Sequence, residues 1–173
     1  EISVIYTPLP NSMHADWSIK AVQAGKHVLC EKPLALSLAE LDSMCAVSLQ
    51  TGKVITEAFM YRHHKQTLKV KQLIDEGTIG KIQLIRGAFT YISSRPNDIR
   101  QDPKLGGGCI WDIGCYPISY ARAIIGLEPD EVYGSQILND AGVDVHFFGQ
   151  MRFPGDIYAQ FHSSFMTPYG TFI

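Results

Sequence analysis

The run His27-Val28-Leu29-Cys30-Glu31-Lys32-Pro33 begins as a short apolar strand and ends on a charged pair held against a proline. Just upstream, Gly25 stops a helix that begins at Asn11 or Ser12, with Met13, Trp17, Ala21 and Ala24 recurring at helical spacing. Before that helix, Ile2 to Thr7 is a β-branched run closed by Pro8 and Pro10, which reads as a buried parallel strand. Downstream, Ser37-Leu38-Ala39-Glu40 is a capping box. It opens a helix carrying Leu41, Met44, Cys45 and Ser48 on one face and ending at Gly52, and Lys53 to Ala58 follows as a third strand. Strand, helix, strand, helix, strand in this rhythm is doubly wound α/β with a parallel sheet and right-handed crossovers. Glu31-Lys32-Pro33 then stands at the carboxyl end of a parallel strand, where open α/β sheets hold ligands.

Beyond Glu57 the rhythm changes. Tyr61-Arg62-His63-His64 is a polar connection, and Gln66 to Glu76 is a helix with Val70, Leu73 and Ile74 inward and Gly77 after it. Ile82 to Ile92 is a long strand, and Ser93 to Gly108, polar and rich in Pro and Gly, is a long loop of the kind that usually serves function. Tyr116 to Ile125 is a helix. Val132 to Leu138, Val143 to Phe153 and Ile157 to Phe165 are strands, the last two joined by a Pro154-Gly155-Asp156 hairpin turn. Val145, Phe147, Met151 and Phe153 share one face, as do Ile157, Ala159, Phe161 and Phe165. The fold class is therefore α/β: part of a doubly wound domain, then an α+β domain with a mainly antiparallel sheet. Phe148, Phe89 and Tyr91 give that sheet a partly apolar second face, which implies a covered surface and an oligomer.

The composition, 46% hydrophobic and 18% charged over 173 residues, is that of a soluble globular chain. A formal net charge of −2 leaves no basic footprint for nucleic acid, and no apolar run is long enough for a membrane span. Cys30, Cys45, Cys109 and Cys115 show no C-x-x-C spacing. They read as buried reduced thiols, which favours a reducing, cytoplasmic compartment. Neither a Walker-type loop nor G-x-G-x-x-G is present, and adjacent His63 and His64 lack a third ligand at metal spacing.

Three groups carry candidate chemistry. Lys32 can donate to a substrate hydroxyl and favour deprotonation of a neighbouring acid; a solvated surface lysine is the competing reading. Thr7-Pro8-Leu9-Pro10-Asn11-x-x-His14 also lies at the ligand edge of the sheet, although helix capping by Asn11 explains part of it. Gly106-Gly107-Gly108 precedes Asp112 and Tyr116, four residues apart. If Trp111 opens a helix, the carboxylate and the phenol stack one turn apart beside a glycine-lined wall, a proton-transfer arrangement. The same letters also read as a loop, a helix entry and a core tyrosine.

Taken in order, several segments together resemble the glucose–fructose oxidoreductase family of NAD(P)-dependent sugar and polyol dehydrogenases, in its aldose and dihydrodiol dehydrogenase branch. They are the Thr7 to His14 run, Ala24 to Pro33, Glu57-Ala58-Phe59-Met60-Tyr61-Arg62, Gly77-Thr78-Ile79-Gly80, Ile99-Arg100-x-Asp102-Pro103 and Gly106 to Tyr116. The resemblance implies a partial Rossmann dinucleotide-binding domain over 1–58. It implies a partial substrate and oligomerisation domain over 59–173, forming a dimer or tetramer through its sheet. It makes Glu31-Lys32-Pro33 the catalytic-lysine motif, Asp112 the substrate-site acid and Tyr116 the acid/base residue. Many members carry histidine at that last position, and tyrosine points to the sugar-oxidising branch. Thr7, Pro8, Asn11, His14, Glu31, Lys32, Pro33 and Arg100 form the implied cofactor set, for NADP ahead of NAD. The implied substrate is an aldose such as xylose or glucose, or a related diol. One departure is Lys65, where the family pattern has proline.

The chain starts at Glu1 inside a strand-like run and stops at Ile173 just after another, so it reads as a piece of a longer chain. The first βαβ unit, with its glycine fingerprint and ribose-binding residue, is expected upstream. The closing strands and helix are expected downstream, and the isolated chain is expected to be inactive. A non-catalytic relative that holds a dinucleotide or a sugar as a sensor or partner subunit is the alternative function.

Overall fold

The computed structural model describes residues 2–93, 95 and 97–173. Glu1, and Ser94 and Pro96 within the expected loop, lie outside the described residues. The chain folds as two compact units, one of Glu1–Phe59 with Asn97–Gly107 and one of Met60–Pro96 with Gly108–Ile173.

In the first unit, strands β1 (Val4–Thr7), β2 (His27–Cys30) and β3 (Ile55–Glu57) pair in parallel in the order β1-β2-β3. Helices α1 (His14–Gln23) and α2 (Leu38–Thr51) make the crossovers. The core is Ala21, Val22, Val28 and Cys30, with Leu34, Val47 and Ile55 packed against it. Burying each large aliphatic side chain here is worth about 1.5–3 kcal/mol. Three expectations change. Among the described residues β1 pairs with β2 alone, and Val4, Ile5 and Tyr6 are exposed while Thr7 is buried. The buried face of α1 is His14, Ala15, Ser18, Ala21 and Val22; Met13 and Trp17 point outward, Trp17 under the Lys20 ammonium 4.8 Å from its ring centre. In α2, Met44 is buried but Cys45 is exposed, so the four cysteines, all free, are not uniformly buried. The Ser37 hydroxyl caps α2 through the Glu40 N–H, while Glu40 accepts from the Leu36 N–H, one residue before the partner a capping box requires.

In the second unit, α3 (Lys65–Asp75) begins at Lys65, capped by His64, whose Nδ1 accepts from the Gln66 N–H at 3.2 Å. Lys65 is thus the first helical residue, a position that suits proline equally, so that departure leaves the helix start unchanged. Strands β4 (Leu84–Thr90), β5 (Glu131–Leu138), β6 (Asp144–Phe153), β7 (Ile157–Ser164) and β8 (Gly170–Phe172) form one sheet in the order β5-β6-β7-β4-β8. β5-β6, β6-β7 and β4-β8 are antiparallel and β4-β7 is parallel; the three-residue β8 carries no pattern long enough to read from sequence. Met151, Phe153, Ala159 and Phe161 cover one face with Ala121 of α4 (Cys115–Ile125).

Register corrects the expected second face. Phe89 lies opposite buried Ser163, and both Phe89 and Tyr91 pack with Cys109, Ile113, Val145 and Phe165 on the helix-covered side. Of the three, Phe148 does lie on the open side and is exposed, its ring 4.3 Å from that of His146 and 6.3 Å from that of His162.

Candidate active site

The carboxyl ends of β1 and β2 are tied into one ledge by His14. Its ring is fully buried, with Nδ1 2.7 Å from the Pro33 carbonyl and Nε2 2.8 Å from the Leu9 carbonyl. The Glu31 N–H donates to the Thr7 carbonyl at 3.1 Å, and the Tyr6 hydroxyl donates to the Glu31 carboxylate. That bond, with partial desolvation and the carboxylate charge, raises the Tyr6 phenol above its ordinary range. Lys32 is half-buried on this ledge, followed by buried Pro33 across a cis peptide bond. Beneath it the Cys30 thiol is pushed up to about 11, by burial first and then by Glu57 and Glu31, so it stays protonated.

Asn11 does not cap its helix. Its amide donates to the Gly106 carbonyl at 2.8 Å, holding the returning segment 97–107 against the start of α1. In that segment Asp98 caps one 3₁₀ turn and pairs with the Arg100 guanidinium at 3.2 Å, while Asp102 caps the next. The long loop of the sequence reading is therefore largely turned backbone.

Each glycine of the triplet has protein atoms where a side chain would begin. A Cβ at Gly106 would fall 2.5 Å from Leu36 Cδ1 and 2.9 Å from Asn11 Cβ. One at Gly107 would fall 2.6 Å from the Arg100 carbonyl oxygen, and one at Gly108 2.2 Å from Asp144 Oδ1. Close packing of the chain on itself is by itself sufficient reason for glycine at all three positions, beside the glycine-lined wall the sequence suggests.

After the triplet comes a π-helical turn, Ile110–Gly114, running directly into α4. Such turns widen the helix and are frequent at functional sites. Asp112 and Tyr116 are thus carried on one continuous segment, but their four-residue spacing crosses a π turn instead of an α turn. Asp112 is half-buried and its Oδ2 accepts from the Tyr91 hydroxyl at 2.8 Å. The Tyr116 hydroxyl lies 3.9 Å from Met60 Sδ, and its ring packs against Phe89 and Tyr61 at 5.6 and 6.1 Å. Tyr116 also lines a cavity of about 360 Å³ with Tyr61, Gln66, Phe89, Tyr120 and Phe172. Burial raises the Tyr120 phenol, leaving it neutral, and the Tyr61 hydroxyl donates to Ser119 at 2.7 Å.

The first unit thus carries Thr7, Pro8, Asn11, His14, Glu31, Lys32, Pro33 and Arg100, and the second carries Asp112 and Tyr116 on one continuous π–α segment. Sequence reasoning missed Tyr91 and Asp144. Asp144 was detectable in principle, as an acid between two valines at the start of an apolar strand. Among the described residues no group of three or more His, Cys, Asp or Glu could hold a metal, and no helix is long and apolar enough to cross a membrane.

Comparison with known proteins bears on this geometry. Residues 67–172 match the GFO/IDH/MocA C-terminal domain, and residues 1–59 match the oxidoreductase-family NAD-binding Rossmann fold. The chain is 38% identical over 169 residues to the D-xylose 1-dehydrogenase (NADP(+)) 2 of Haloferax volcanii, covering 96% of the chain and 51% of that protein. It superposes with a TM-score of 0.91 and 33% identity on a 3-ketoreductase from Actinomadura kijaniata in complex with NADP and TDP-benzene, covering 98% of the chain and 52% of that one. The TM-score is also 0.91, at 27% identity, with the aldose-aldose oxidoreductase from Caulobacter crescentus complexed with glycerol, covering 96% and 51%. The chain spans about half the length of the curated relatives it matches.

Proposed function

The chain belongs to the GFO/IDH/MocA oxidoreductase family, and from that premise we propose that it is part of a sugar dehydrogenase using NADP ahead of NAD. The observation that carries this reading is the π–α segment: Asp112 is held by Tyr91, and Tyr116 opens on an aromatic cavity in the same rod. The ledge at the carboxyl edge of β1 and β2 fits the nicotinamide end of a dinucleotide. It is a fixed, backbone-lined surface at the place where open parallel sheets hold such ligands, and buried His14 sets its shape. Bound there, the cofactor would accept or return the hydride. NADP is preferred because relatives at this similarity are named for it or hold it.

In the proposed mechanism Tyr116 takes the proton of the reacting sugar hydroxyl during oxidation and returns it during reduction. A free phenol titrates near about 10, so it needs a cation to act near neutrality. On this reading the charge comes from Lys32 of the Glu31-Lys32-Pro33 motif, an ammonium able to donate to a substrate hydroxyl. Asp112 binds a neighbouring hydroxyl; its own charge opposes phenolate formation, so it orients the sugar and leaves the proton to Tyr116. An aldose such as xylose or glucose, or a vicinal diol, meets these requirements. The open sheet face around Phe148 is assigned to a second copy of the chain, since an aromatic side chain 46% exposed among other rings gains most by being covered.

The test pairs calorimetry with NADP and NAD and an aldose panel, using protein that contains this chain. NADP-dependent oxidation is expected, with Tyr116→Phe lowering kcat at least about a hundredfold and leaving cofactor affinity within about twofold. Full activity of Tyr116→Phe would remove the phenol from the mechanism, and no binding of either dinucleotide would sink the reading.

A further inference from the structure

We propose that Asp144, at the start of β6, is a positioning residue for the segment that carries Asp112 and Tyr116. Asp144 is 7% exposed. Its Oδ2 accepts from the Ile110 N–H at 2.8 Å and from the Cys109 thiol at 3.0 Å. Its Oδ1 occupies the space a side chain on Gly108 would take, and Gly108, at φ +133°, has none. Three consecutive residues, Gly108, Cys109 and Ile110, are therefore built around one carboxylate. The Gly108 carbonyl in turn accepts from the Asp112 N–H at 3.0 Å, so the register set by Asp144 reaches Asp112 through a single residue.

A carboxylate is a costly way to fill a buried corner unless its lone pairs are used. Here they are used on backbone and thiol donors at the entry of the π turn. Helix-entry N–H groups lack partners within the helix, and a fixed acceptor on a rigid strand sets where the first of them points. Cys109 is pinned a second time: its thiol also lies 3.4 Å from the Ser163 carbonyl, and the Ser163 hydroxyl lies 3.4 Å from Cys109 Sγ. Burial, with Asp144 beside it, keeps that thiol protonated, as a donor must be. Fixing the turn fixes the angle at which Asp112 and, one turn later, Tyr116 meet a substrate. The role rests on the function proposed above; the geometry of the turn does not.

The experiment compares Asp144→Ala, Asp144→Asn and Cys109→Ala, reading hydrogen exchange over 108–114 together with sugar-oxidation kinetics. Asp144→Ala removes the acceptor, and exchange there is expected to rise at least tenfold. kcat is expected to fall about 10- to 100-fold, with the cofactor KM within about twofold. Asp144→Asn keeps an oxygen for Ile110 and is expected to restore most of both, while Cys109→Ala should change kcat by less than about threefold. Unchanged exchange in Asp144→Ala, or raised exchange with unchanged kcat, overturns the proposal. If Asp144→Ala does not fold, Asp144→Asn decides: a large loss of kcat with native exchange would place the effect on charge and not on the turn. A wild-type protein inactive on every sugar would sink the proposed function, while the exchange measurement would still decide whether Asp144 holds the turn.

Discussion

The Tyr91 hydroxyl donates to Asp112 Oδ2 at 2.8 Å, joining the end of β4 to the π turn. Tyr91 is itself held by Phe165, their ring centres 5.2 Å apart, so the phenol is a rigid prop. A hydrogen bond to a carboxylate contributes about 1.5–3 kcal/mol, and removing it takes one fixed donor away from Asp112. Tyr91→Phe keeps the ring packing and removes the hydroxyl that makes this bond. On the proposed function, kcat/KM for the sugar should fall about tenfold or more, with cofactor affinity and melting temperature close to wild type. Steady-state kinetics against sugar and cofactor separately provide the check; an unchanged sugar kcat/KM would leave Asp112 positioned by other contacts.

His14→Ala should destabilise the first unit. The substitution removes the ring that lies between the Leu9 and Pro33 carbonyls and opens a buried gap. A neutral imidazole donates to one of the two carbonyls, whose orphaning costs about 1–3 kcal/mol, and the gap adds to it, for a total near 3 kcal/mol. Urea unfolding would show it as a lowered midpoint at an unchanged slope. A shift under about 0.5 kcal/mol would mean the two loops do not depend on His14 for their conformation.

Much of this was legible because local signals and tertiary structure agree. The β-branched runs, Gly25, Gly52 and the alternation along β6 and β7 each name their element, and the structure keeps them. What failed was information that lies between elements. The face of Phe89 and Tyr91 depends on the register of β4 against β7, and a one-residue difference moves every side chain to the other side. The α1 stripe was misread because the buried positions are small or polar, Ala15, Ser18 and His14, while the large Trp17 faces out. The glycine triplet drew attention for a real reason, close approach, but the approaching groups are Asn11, Leu36, the Arg100 carbonyl and Asp144. Tyr91 and Asp112 are 21 residues apart, and nothing in either local pattern announces the pair.

Gly149→Ala should be destabilising although it replaces glycine within a strand, where alanine is ordinarily favoured by about 0.5–1 kcal/mol. Its cross-strand partner Phe161 lays its ring directly over Gly149, and an added Cβ would fall 2.2 Å from Cζ and 2.4 Å from Cε1. Phe161 cannot swing away freely, because it is buried and stacks on Phe147 with ring centres 6.1 Å apart. Overpacking of this kind costs about 1–3 kcal/mol, enough to reverse the intrinsic preference. Denaturant titration of Gly149→Ala beside Gly142→Ala compares this site with one where nothing lies within 4 Å of the added Cβ but φ is +81°. A Gly149→Ala midpoint at or above wild type would show that the ring moves aside at little cost.

Stability should fall on mild acidification because of His146. Its Nε2 is buried with no hydrogen-bond partner among the described residues. Burial first, and then the charge of His162, whose ring centre is 6.2 Å away, hold its folded-state pKa below the ordinary histidine value. Its cross-strand neighbours Ile137 and Ser164 carry no charge that could offset this, and on its other side it stacks against Phe148. The unfolded chain therefore binds the proton more tightly than the folded one. The contribution of His146 to stability is complete above the unfolded value of about 6.5 and is lost as pH falls through that value towards the lower folded one. Melting temperatures of wild type and His146→Gln, followed from pH 8 to pH 5.5 or about that range, should diverge on the acid side, wild type falling faster. Parallel curves would show that His146 is protonated equally easily in both states, and the buried Nε2 would then need a partner supplied when the open sheet face is covered.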